Sequence, residues 1–373
     1  MSTAITGGYG FLGWHLACRI LAQTGNEPFR LGRADFAQPE RLASALATVD
    51  TIYHVAGVNR ADSDEQVTSL NIQLAKALSD AIIANGRPVR LVYANSIQSR
   101  LDNPYGRGKA AAVPLLANAV ERVGGTMVNV LLPNLFGEHG RPNYNSVVAT
   151  FAAKIAAGEE PTVTHDKEIP LLHAQDAAQA LIDAATGNDQ ESEPPGRPTL
   201  VSSLIDTFRG FESLYRVGEI PALDDPFQRD LFNAYRSYLF PERFPIPLQV
   251  HSDQRGDLFE TLRYHGGTVQ TYLSTTRPGQ KRGEHYHLRK VERFVVVKGE
   301  AEIGFRKLLT DDVVTIRVSG DNPSIVDMPT LWVHNLVNVG DTELITYFFS
   351  DQLLDPANPD QFYATVQPEE ISA

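Results

Sequence analysis

Cysteine is almost missing from this sequence: Cys18 is the only one among 373 residues. An intramolecular disulfide and a cysteine-cluster metal site are therefore both excluded. Long apolar runs are missing as well, and no stretch approaches the ~18 residues that a membrane span needs. Basic residues are in deficit, with 33 Lys and Arg against 45 Asp and Glu and a formal net charge of -12. Nucleic acid and anionic membrane each require an excess of Lys and Arg, so neither is expected as the main partner. An anionic ligand could still bind at a local basic or amide-rich site. Met1-Ser2-Thr3-Ala4-Ile5 passes straight into a glycine loop with no charged leader and apolar h-region, which leads us to expect a soluble cytoplasmic protein.

What is present is the composition of a globular protein: 42% hydrophobic and 21% charged residues, in a chain long enough for two or three domains. The first half alternates short apolar runs with segments of helical period. Strands are expected at Thr3–Thr6, Phe29–Leu31, Thr51–Val55, Val89–Ala94 and Thr126–Leu132. Helices are expected at Leu12–Thr24, Leu42–Ala47, Leu70–Asn85 and Lys109–Val123. This alternation predicts a Rossmann-type α/β fold, a parallel sheet with helices on both faces. Gly187–Pro198 is polar and rich in Pro and Glu, and reads as a surface loop. Phe240–Pro247 carries three prolines, through which a helix does not continue. From about Gln249 short runs rich in Val, Thr, Ile and Phe alternate with turns such as Arg255-Gly256, Lys298-Gly299 and Ser319-Gly320. That spacing predicts an all-β barrel or jelly roll. The expected domains are 1–245 and 246–373.

A glycine loop, Gly7-Gly8-Tyr9-Gly10-Phe11-Leu12-Gly13, joins the first strand to the first helix. Glycines at 7, 10 and 13 allow a tight turn and close approach of a pyrophosphate, and the helix N-terminus offers free N–H groups to it. Its spacing, GxxGxxG, differs from the more usual GxGxxG. After the second strand an NAD site would offer an acid to the ribose; here the text is Leu31-Gly32-Arg33. Arg33 could pair with a 2′-phosphate, pointing to NADP, or could be a solvated surface arginine. Tyr105-Gly106-Arg107-Gly108-Lys109 puts a phenol and an ammonium one helical turn apart. The ammonium is expected to lower the phenol's pKa and make it a usable proton donor and acceptor, with Ser96 bonding the same substrate oxygen.

These residues resemble the extended short-chain dehydrogenase/reductase family. The likeness runs through Thr6 to Gly13, His54-Val55-Ala56-Gly57, Ser96, Tyr105 with Lys109, and Pro133-Asn134-Leu135-Phe136-Gly137, in family order. It implies NADPH as cofactor, held by Gly7, Gly10, Phe11, Leu12, Gly13, Arg33, Ala56, Gly57, Tyr105 and Lys109, and a nucleotide-activated sugar as substrate. Ser96, Tyr105 and Lys109 become the expected catalytic set. Asn134, Arg141 and Asn145 are candidates for the sugar nucleotide; Arg141 and Asn145 fit loop surface equally well. The family often carries Arg shortly before the Pro-Asn stretch, where this chain has Leu131-Leu132.

In the second half the densest cluster is Gly279-x5-His285-Tyr286-His287-x4-Glu292-x6-Gly299, followed by His334. On a strand, residues two apart share a face, so His285 and His287 should converge, with Glu292 and His334 joining from neighbouring strands. Three imidazoles and a carboxylate suit Zn²⁺ or another divalent transition metal. The spacing resembles the two cupin motifs, with Leu331 where the second usually has glycine. The stretches Asp253-x-Arg255-Gly256 with Glu260, and Lys281-Arg282-Gly283-Glu284-His285-Tyr286, resemble sugar-nucleotide 3,5-epimerases. In those, the histidine matching His285 is a base. They commonly have Gln where this chain has His287, which tips this copy toward metal. Tyr347 could be a proton donor or a packed core tyrosine.

Both halves together resemble the bifunctional capsular-polysaccharide UDP-sugar epimerase/reductase family across essentially the whole chain. That resemblance implies C3 epimerisation of a UDP-4-keto-6-deoxy-N-acetylhexosamine in the cupin. NADPH reduction at C4 then follows in the reductase, in a homodimer with zinc, giving a UDP-2-acetamido-2,6-dideoxy-L-talose-like product. A histidine that ligates zinc cannot also be the C3 base, so the metal is either a Lewis acid or structural. Two other readings stay open: a reductase with a structural cupin, and a dinucleotide-sensing regulator without chemistry.

Overall fold

The computed structural model describes residues 2–367 other than Arg255, Glu260 and Leu354. Arg255 and Glu260 of the epimerase-like stretch therefore lie outside the described residues. The first part of the chain runs β1 (Thr3–Thr6), α1 (Phe11–Thr24), β2 (Phe29–Leu31), α2 (Arg33–Phe36), α3 (Pro39–Leu46), β3 (Thr51–His54), α4 (Asp64–Asn85), β4 (Arg90–Ser96), α5 (Pro104–Arg122) and β5 (Thr126–Leu132). It continues with β6 (Asn134–Phe136), α6 (Val147–Ala156), β7 (Glu168–His173), α7 (Ala174–Thr186), β8 (Glu191–Ser192), β9 (Arg197–Leu200), α8 (Ser203–Tyr215) and α9 (Pro226–Arg236). Strands alone follow: β10 (Ile246–Pro247), β11 (His251–Asp253), β12 (Gly256–Leu258), β13 (Gln270–Thr276), β14 (Lys281–Tyr286), β15 (Glu292–Lys298), β16 (Glu300–Lys307), β17 (Val313–Ser319), β18 (Ser324–Met328), β19 (Trp332–Asn338), β20 (Leu344–Ser350) and β21 (Phe362–Tyr363).

Packing divides the chain into two compact units. The first comprises Met1–Phe136, Tyr144–Ser146 and Lys167–Leu200. Its main sheet is parallel, in the order β2-β1-β3-β4-β5-β8. β3 is covered on both faces, and every residue of it, Thr51 and His54 included, is buried. Ala4, Leu31, Ile52, Leu91 and Tyr93 of the sheet pack with Leu42, Leu46, Leu78, Ile82 and Leu116 of α3, α4 and α5. The chain leaves β1 toward β2 on one side and β3 on the other. That reversal opens a crevice at the carboxyl ends of β1 and β3, where such sheets take ligands.

Several elements differ from the sequence reading; helix α4, for one, begins at Asp64 rather than Leu70, with Ser63 accepting the Gln66 N–H. Helix α5 begins at Pro104, five residues before Lys109, because the Asn103 side chain accepts the Gly106 N–H (2.7 Å) and Pro104 takes the first helical position. The polar stretch Gly187–Pro198 is not all loop: β8 adds in parallel to β5, and β9 pairs antiparallel with β7. Backbone pairing at a sheet edge needs no apolar side chains, so its composition hid these strands.

The second unit comprises Gly137–Asn143, Val147–Asp166 and the chain from Val201 onward. Two antiparallel five-stranded sheets, β10-β18-β15-β20-β13 and β17-β16-β19-β14-β21, form a cupin-like jelly roll. Phe294, Val296 and Phe348 from one sheet meet Ile303, Phe305 and Leu336 from the other in its core. Helices α6, α8 and α9 belong to this same unit. Arg293 of β15, wholly buried, forks onto Asp327 of β18 at 2.6 and 3.0 Å and also donates to the Gly218 carbonyl, while Tyr215 of α8 donates to Asp327. The Phe240 ring packs edge-on to Phe305 (5.1 Å) and Trp332 (4.9 Å). The change in sequence texture near residue 245 thus marks where helices give way to strands. Among the described residues no helix is long and apolar enough to cross a membrane.

Candidate functional site

The glycine loop is shaped first by backbone packing. Gly7 has φ +68°, and a Cβ there would lie 2.8 Å from Ala56 Cα; a Cβ on Gly13 would lie 2.2 Å from the Gly7 carbonyl. The loop after β1 therefore packs directly on the Ala56-Gly57 loop after β3, and α1 packs on the glycine loop through Gly13. Gly10 donates to the Gly7 carbonyl (2.9 Å) and brings no capping side chain to α1. Phe11, Leu12 and Gly13 open that helix, whose N-terminus is suited to a pyrophosphate. Asn71 of α4, not foreseen from sequence, holds the neighbouring loop: its Oδ1 accepts the Val58 N–H (3.1 Å) and its Nδ2 donates to the Val58 and Val67 carbonyls (2.7 Å each). Its only sequence signal is a polar residue on the buried face of an amphipathic helix. Arg33 is exposed at the start of α2, whereas buried Asp35 accepts the Gly32 N–H (2.8 Å) and pairs with Arg41 (2.7 Å).

Ser96 ends β4, buried, with its Oγ accepting the Gln98 N–H (3.2 Å). Lys109 is 2% exposed; its ammonium donates to the Ala94 carbonyl (2.6 Å) and stands 4.3 Å over the Tyr93 ring. Burial pulls Lys109 down to about 7. His54, beside it on β3, is brought down to about 3 by burial and then by the Lys109 charge, and it shares a 2.7 Å hydrogen bond with Thr6 Oγ1. The expected lowering of the Tyr105 phenol does not occur: burial pushes it up to about 12. Desolvation disfavours the phenolate, and the ammonium directs its hydrogen bond at a carbonyl instead.

The three substrate candidates are not gathered in one unit. Asn134 donates to the Pro170 carbonyl (3.2 Å), and Asn145 accepts from Arg60 Nε (3.1 Å), whose guanidinium lies 5.4 Å from the Tyr144 ring centre. Both belong to the first unit, and Arg141 to the second.

In the barrel, His285, His287, Glu292 and His334 do come together, with ligand atoms all within 4.8 Å of one another. His285 and His334 are direct cross-strand partners of β14 and β19, their rings 4.5 Å apart. A bulge sets that register: Gly283 (φ +96°) and Glu284 (φ +65°) insert one extra residue before His285. Glu292 opens β15 in the facing sheet. Its Oε2 lies 3.2 Å from His287 Nε2, 3.3 Å from His334 Nε2 and 4.0 Å from His285 Nε2.

The chemistry of this set fits a divalent cation. His287 Nδ1 lies 2.6 Å from the Asp360 carbonyl. A carbonyl only accepts, so Nδ1 carries the proton. His285 Nε2 and His334 Nε2 are buried with no hydrogen-bond partner among the described residues. Burial, then mutual repulsion among the clustered imidazoles, pulls His285 down to about 3, and burial lowers His334 too, which disfavours their charged forms. Burial alone would raise Glu292, but His287 and His334 hold it well below the usual carboxylate range. Dry lone pairs facing an ionised carboxylate are costly, and a shared cation relieves them.

Two tyrosines change places relative to the sequence reading. Tyr347 of β20 is in register with Val295, on the opposite face of the sheet from Glu292 and Phe294. It is therefore not a donor at this cluster. Tyr272 of β13, which sequence reasoning missed, donates to Glu292 Oε1 (3.2 Å) and stacks on Phe348 at 4.8 Å.

A crevice at the topological switch point of a parallel sheet, with Ser, Tyr and Lys nearby, defines a dinucleotide-dependent reductase-type domain; here a cupin-like barrel accompanies it. Residues 3–195, over half of the chain, match the NAD dependent epimerase/dehydratase family, and residues 251–362 match the Polysaccharide biosynthesis C-terminal domain. The chain belongs to the NAD dependent epimerase/dehydratase family, within its CapF-like group of capsular-polysaccharide enzymes. It is 32% identical over 98% of its length to a UDP-2-acetamido-2,6-beta-L-arabino-hexul-4-ose reductase of Pseudomonas aeruginosa, covering 99% of that protein. The crystal structure of the capsular polysaccharide assembling protein CapF from Staphylococcus aureus is similar with TM-score 0.62 and 32% identity, over 98% of this chain and all of that one. A dTDP-6-deoxy-L-talose 4-dehydrogenase (NAD(P)(+)) of Kitasatospora kifunensis is 29% identical over 52% of this chain and 71% of its own.

Proposed function

We propose that the chain is a bifunctional nucleotide-sugar enzyme of capsule or surface polysaccharide biosynthesis. Residues 1–245 serve as the reductase and 246–373 as the epimerising barrel, in a cytoplasmic homodimer. The substrate is a UDP-4-keto-6-deoxy-N-acetylhexosamine, inverted at C3 and then reduced at C4 to a UDP-2-acetamido-2,6-dideoxy-L-talose-like product. The observation that carries this reading is the Ser96, Tyr105 and Lys109 set in the same chain as the four-residue His/Glu cluster. The full-length likeness to a hexulose reductase supports the substrate class.

The glycine loop and the N-terminus of α1 would hold a nicotinamide cofactor, which would supply hydride for C4. Tyr105, kept protonated by burial, gives its proton to the developing alkoxide, and Ser96 Oγ orients the carbonyl. Lys109, its ammonium anchored at the Ala94 carbonyl beside Gly57, supplies positive charge toward the cofactor. Exposed Arg33, together with Asp35 being turned to its own backbone, favours the 2′-phosphate of NADPH over the free ribose of NADH. In the barrel, His285, His287, Glu292 and His334 would hold Zn²⁺ or another divalent ion, which would supply Lewis acidity beside a ketone or a structural tie. A proton on C3 is acidified by the neighbouring ketone, and its removal and return on the other face invert that carbon.

A second reading, a reductase with a structural barrel, rests on one observation: His285 sits inside the ligand set, so its lone pair is committed to any ion held there. Incubation with the keto sugar nucleotide in D₂O, first without and then with NADPH, separates the readings. Deuterium at C3 followed by NADPH consumption is expected. Consumption without deuterium would leave the reductase alone, and neither signal would remove this substrate or favour a sensor without chemistry.

A further inference from the structure

Of the groups behind the barrel's histidines, Asp360 is the one that touches the site's frame most often. It lies in the segment just before β21, with φ +42°. Its backbone carbonyl accepts from His287 Nδ1 at 2.6 Å. Its carboxylate takes three successive amides of the loop that follows His287: Leu288 N–H at 3.0 Å on Oδ1, and Arg289 and Lys290 N–H at 2.9 and 2.7 Å on Oδ2. The Lys290 ammonium returns to the Pro359 carbonyl at 2.7 Å. Just beyond, β21 pairs with β14 so that His285 is in register with Tyr363 and Tyr286 with Phe362.

These contacts have a chemical direction. A ligating imidazole is oriented by the hydrogen bond on its other nitrogen, and that bond fixes which nitrogen keeps a lone pair. The Asp360 carbonyl can only accept, so it holds the proton on His287 Nδ1 and leaves Nε2 aimed at Glu292. Its carboxylate meanwhile caps three amides that would otherwise lie partly buried behind the ligand loop, a charge-assisted set that fixes where residue 287 sits. The two functions reside in a single residue separated by 73 positions from the histidine it orients.

We propose that Asp360 is a positioning residue of the barrel centre, setting the tautomer and placement of His287 for metal binding. This rests on the metal-binding reading of the cluster. It gives the C-terminal segment around β21 a role in the site rather than in sheet closure alone.

The test uses the full-length protein, stripped of metal and titrated with Zn²⁺ against a chromophoric chelator, with Co²⁺ substituted in parallel for its visible spectrum. Wild type should take up one equivalent. Asp360→Ala keeps the backbone carbonyl but uncaps the 288–290 amides that place it against His287, so it should bind about 10-fold more weakly, the low end of the range for a disturbed outer partner, and its Co²⁺ bands should move. Asp360→Asn keeps a side-chain oxygen and tolerates the left-handed backbone, so it should restore the wild-type bands. Asp341→Ala, on an exposed turn, should match wild type. Nitrogen-15 histidine spectra of the zinc-loaded wild type need no variant and should give His287 protonated at Nδ1. Wild-type affinity and bands in Asp360→Ala, or metal on His287 Nδ1, would overturn the role of Asp360 while leaving the metal centre intact. A wild type that takes up no metal would instead overturn the metal reading, and this role with it.

Discussion

At the scale of single residues, Lys109 carries the clearest pH consequence. Burial pulls it from its ordinary value down to about 7. Between about 7 and the unfolded value near 10.5 the folded chain binds fewer protons than the unfolded one, so this residue makes stability rise with pH across that window. Cofactor binding has the opposite sense. An anionic dinucleotide favours the ammonium, so binding above pH 7 takes up a proton and weakens as pH rises. The NADPH Kd measured by fluorescence should therefore climb from pH 6.5 to 8.5, by less than about tenfold per unit for one linked proton, and Lys109→Met should flatten the profile. An equally steep profile in the variant would remove Lys109 as its source. Residues of this kind were legible in the sequence because local spacing encodes them: Tyr105 and Lys109 are one helical turn apart, and His285 and His287 two strand positions apart. Asn71, Tyr272 and Asp360 were not legible. Each acts through a partner that only the folded backbone brings near, as Tyr272 reaches Glu292 across the sheet.

At the scale of elements, the strands were read well where apolar residues recur at short intervals, and less well where the backbone alone makes the element. The bulge in β14 is of the second kind. Glu284 is held at φ +65° by its carboxylate, which accepts from Asn335 (3.0 Å) and from the Val366 N–H (2.7 Å), and nothing in Gly283-Glu284 as text announces that register shift. Leu331, noted as a departure from the cupin glycine, turns out to occupy the backbone conformation a glycine would take, with φ +66°. It is nevertheless wholly buried, its N–H donating to the His287 carbonyl (2.8 Å) and its carbonyl accepting from Leu308 (3.0 Å). A left-handed non-glycine residue costs about 1–2 kcal/mol, and burying the leucine returns about 1.5–3 kcal/mol. The two nearly offset, which is how leucine can stand there. Leu331→Ala should lose the burial and keep most of the strain, whereas Leu331→Gly loses the burial and relieves the strain. Urea midpoints should fall in the order wild type, Gly, Ala, the reverse of the usual Gly–Ala ranking. An alanine variant more stable than the glycine one would show that φ at 331 relaxes on substitution.

For the whole molecule, the alternation of strand and helix followed by strands alone was enough to foresee a parallel α/β sheet and a jelly roll in one chain. The sequence did not reveal that α8 packs with the barrel, because the bonds responsible join Tyr215 and Gly218 to Arg293 and Asp327, over a hundred positions away at the widest. This grouping puts the two candidate sites in different units. Every member of the His/Glu cluster lies in the second unit, while Ser96, Tyr105, Lys109 and the glycine loop lie in the first. A ligand that binds only the folded state stabilises it by about 2.7 kcal/mol at a hundred times its Kd, and here that gain would fall on the unit holding the ligands. Stripping metal with a strong chelator should lower the calorimetric transition of the barrel by several degrees. NADPH should raise a different transition, that of the parallel-sheet unit, and NADPH affinity should survive chelation. If chelation moves neither transition, the cluster holds no metal that matters to the fold. If it abolishes NADPH binding as well, the two units do not unfold as the independent bodies that this distribution of ligands implies.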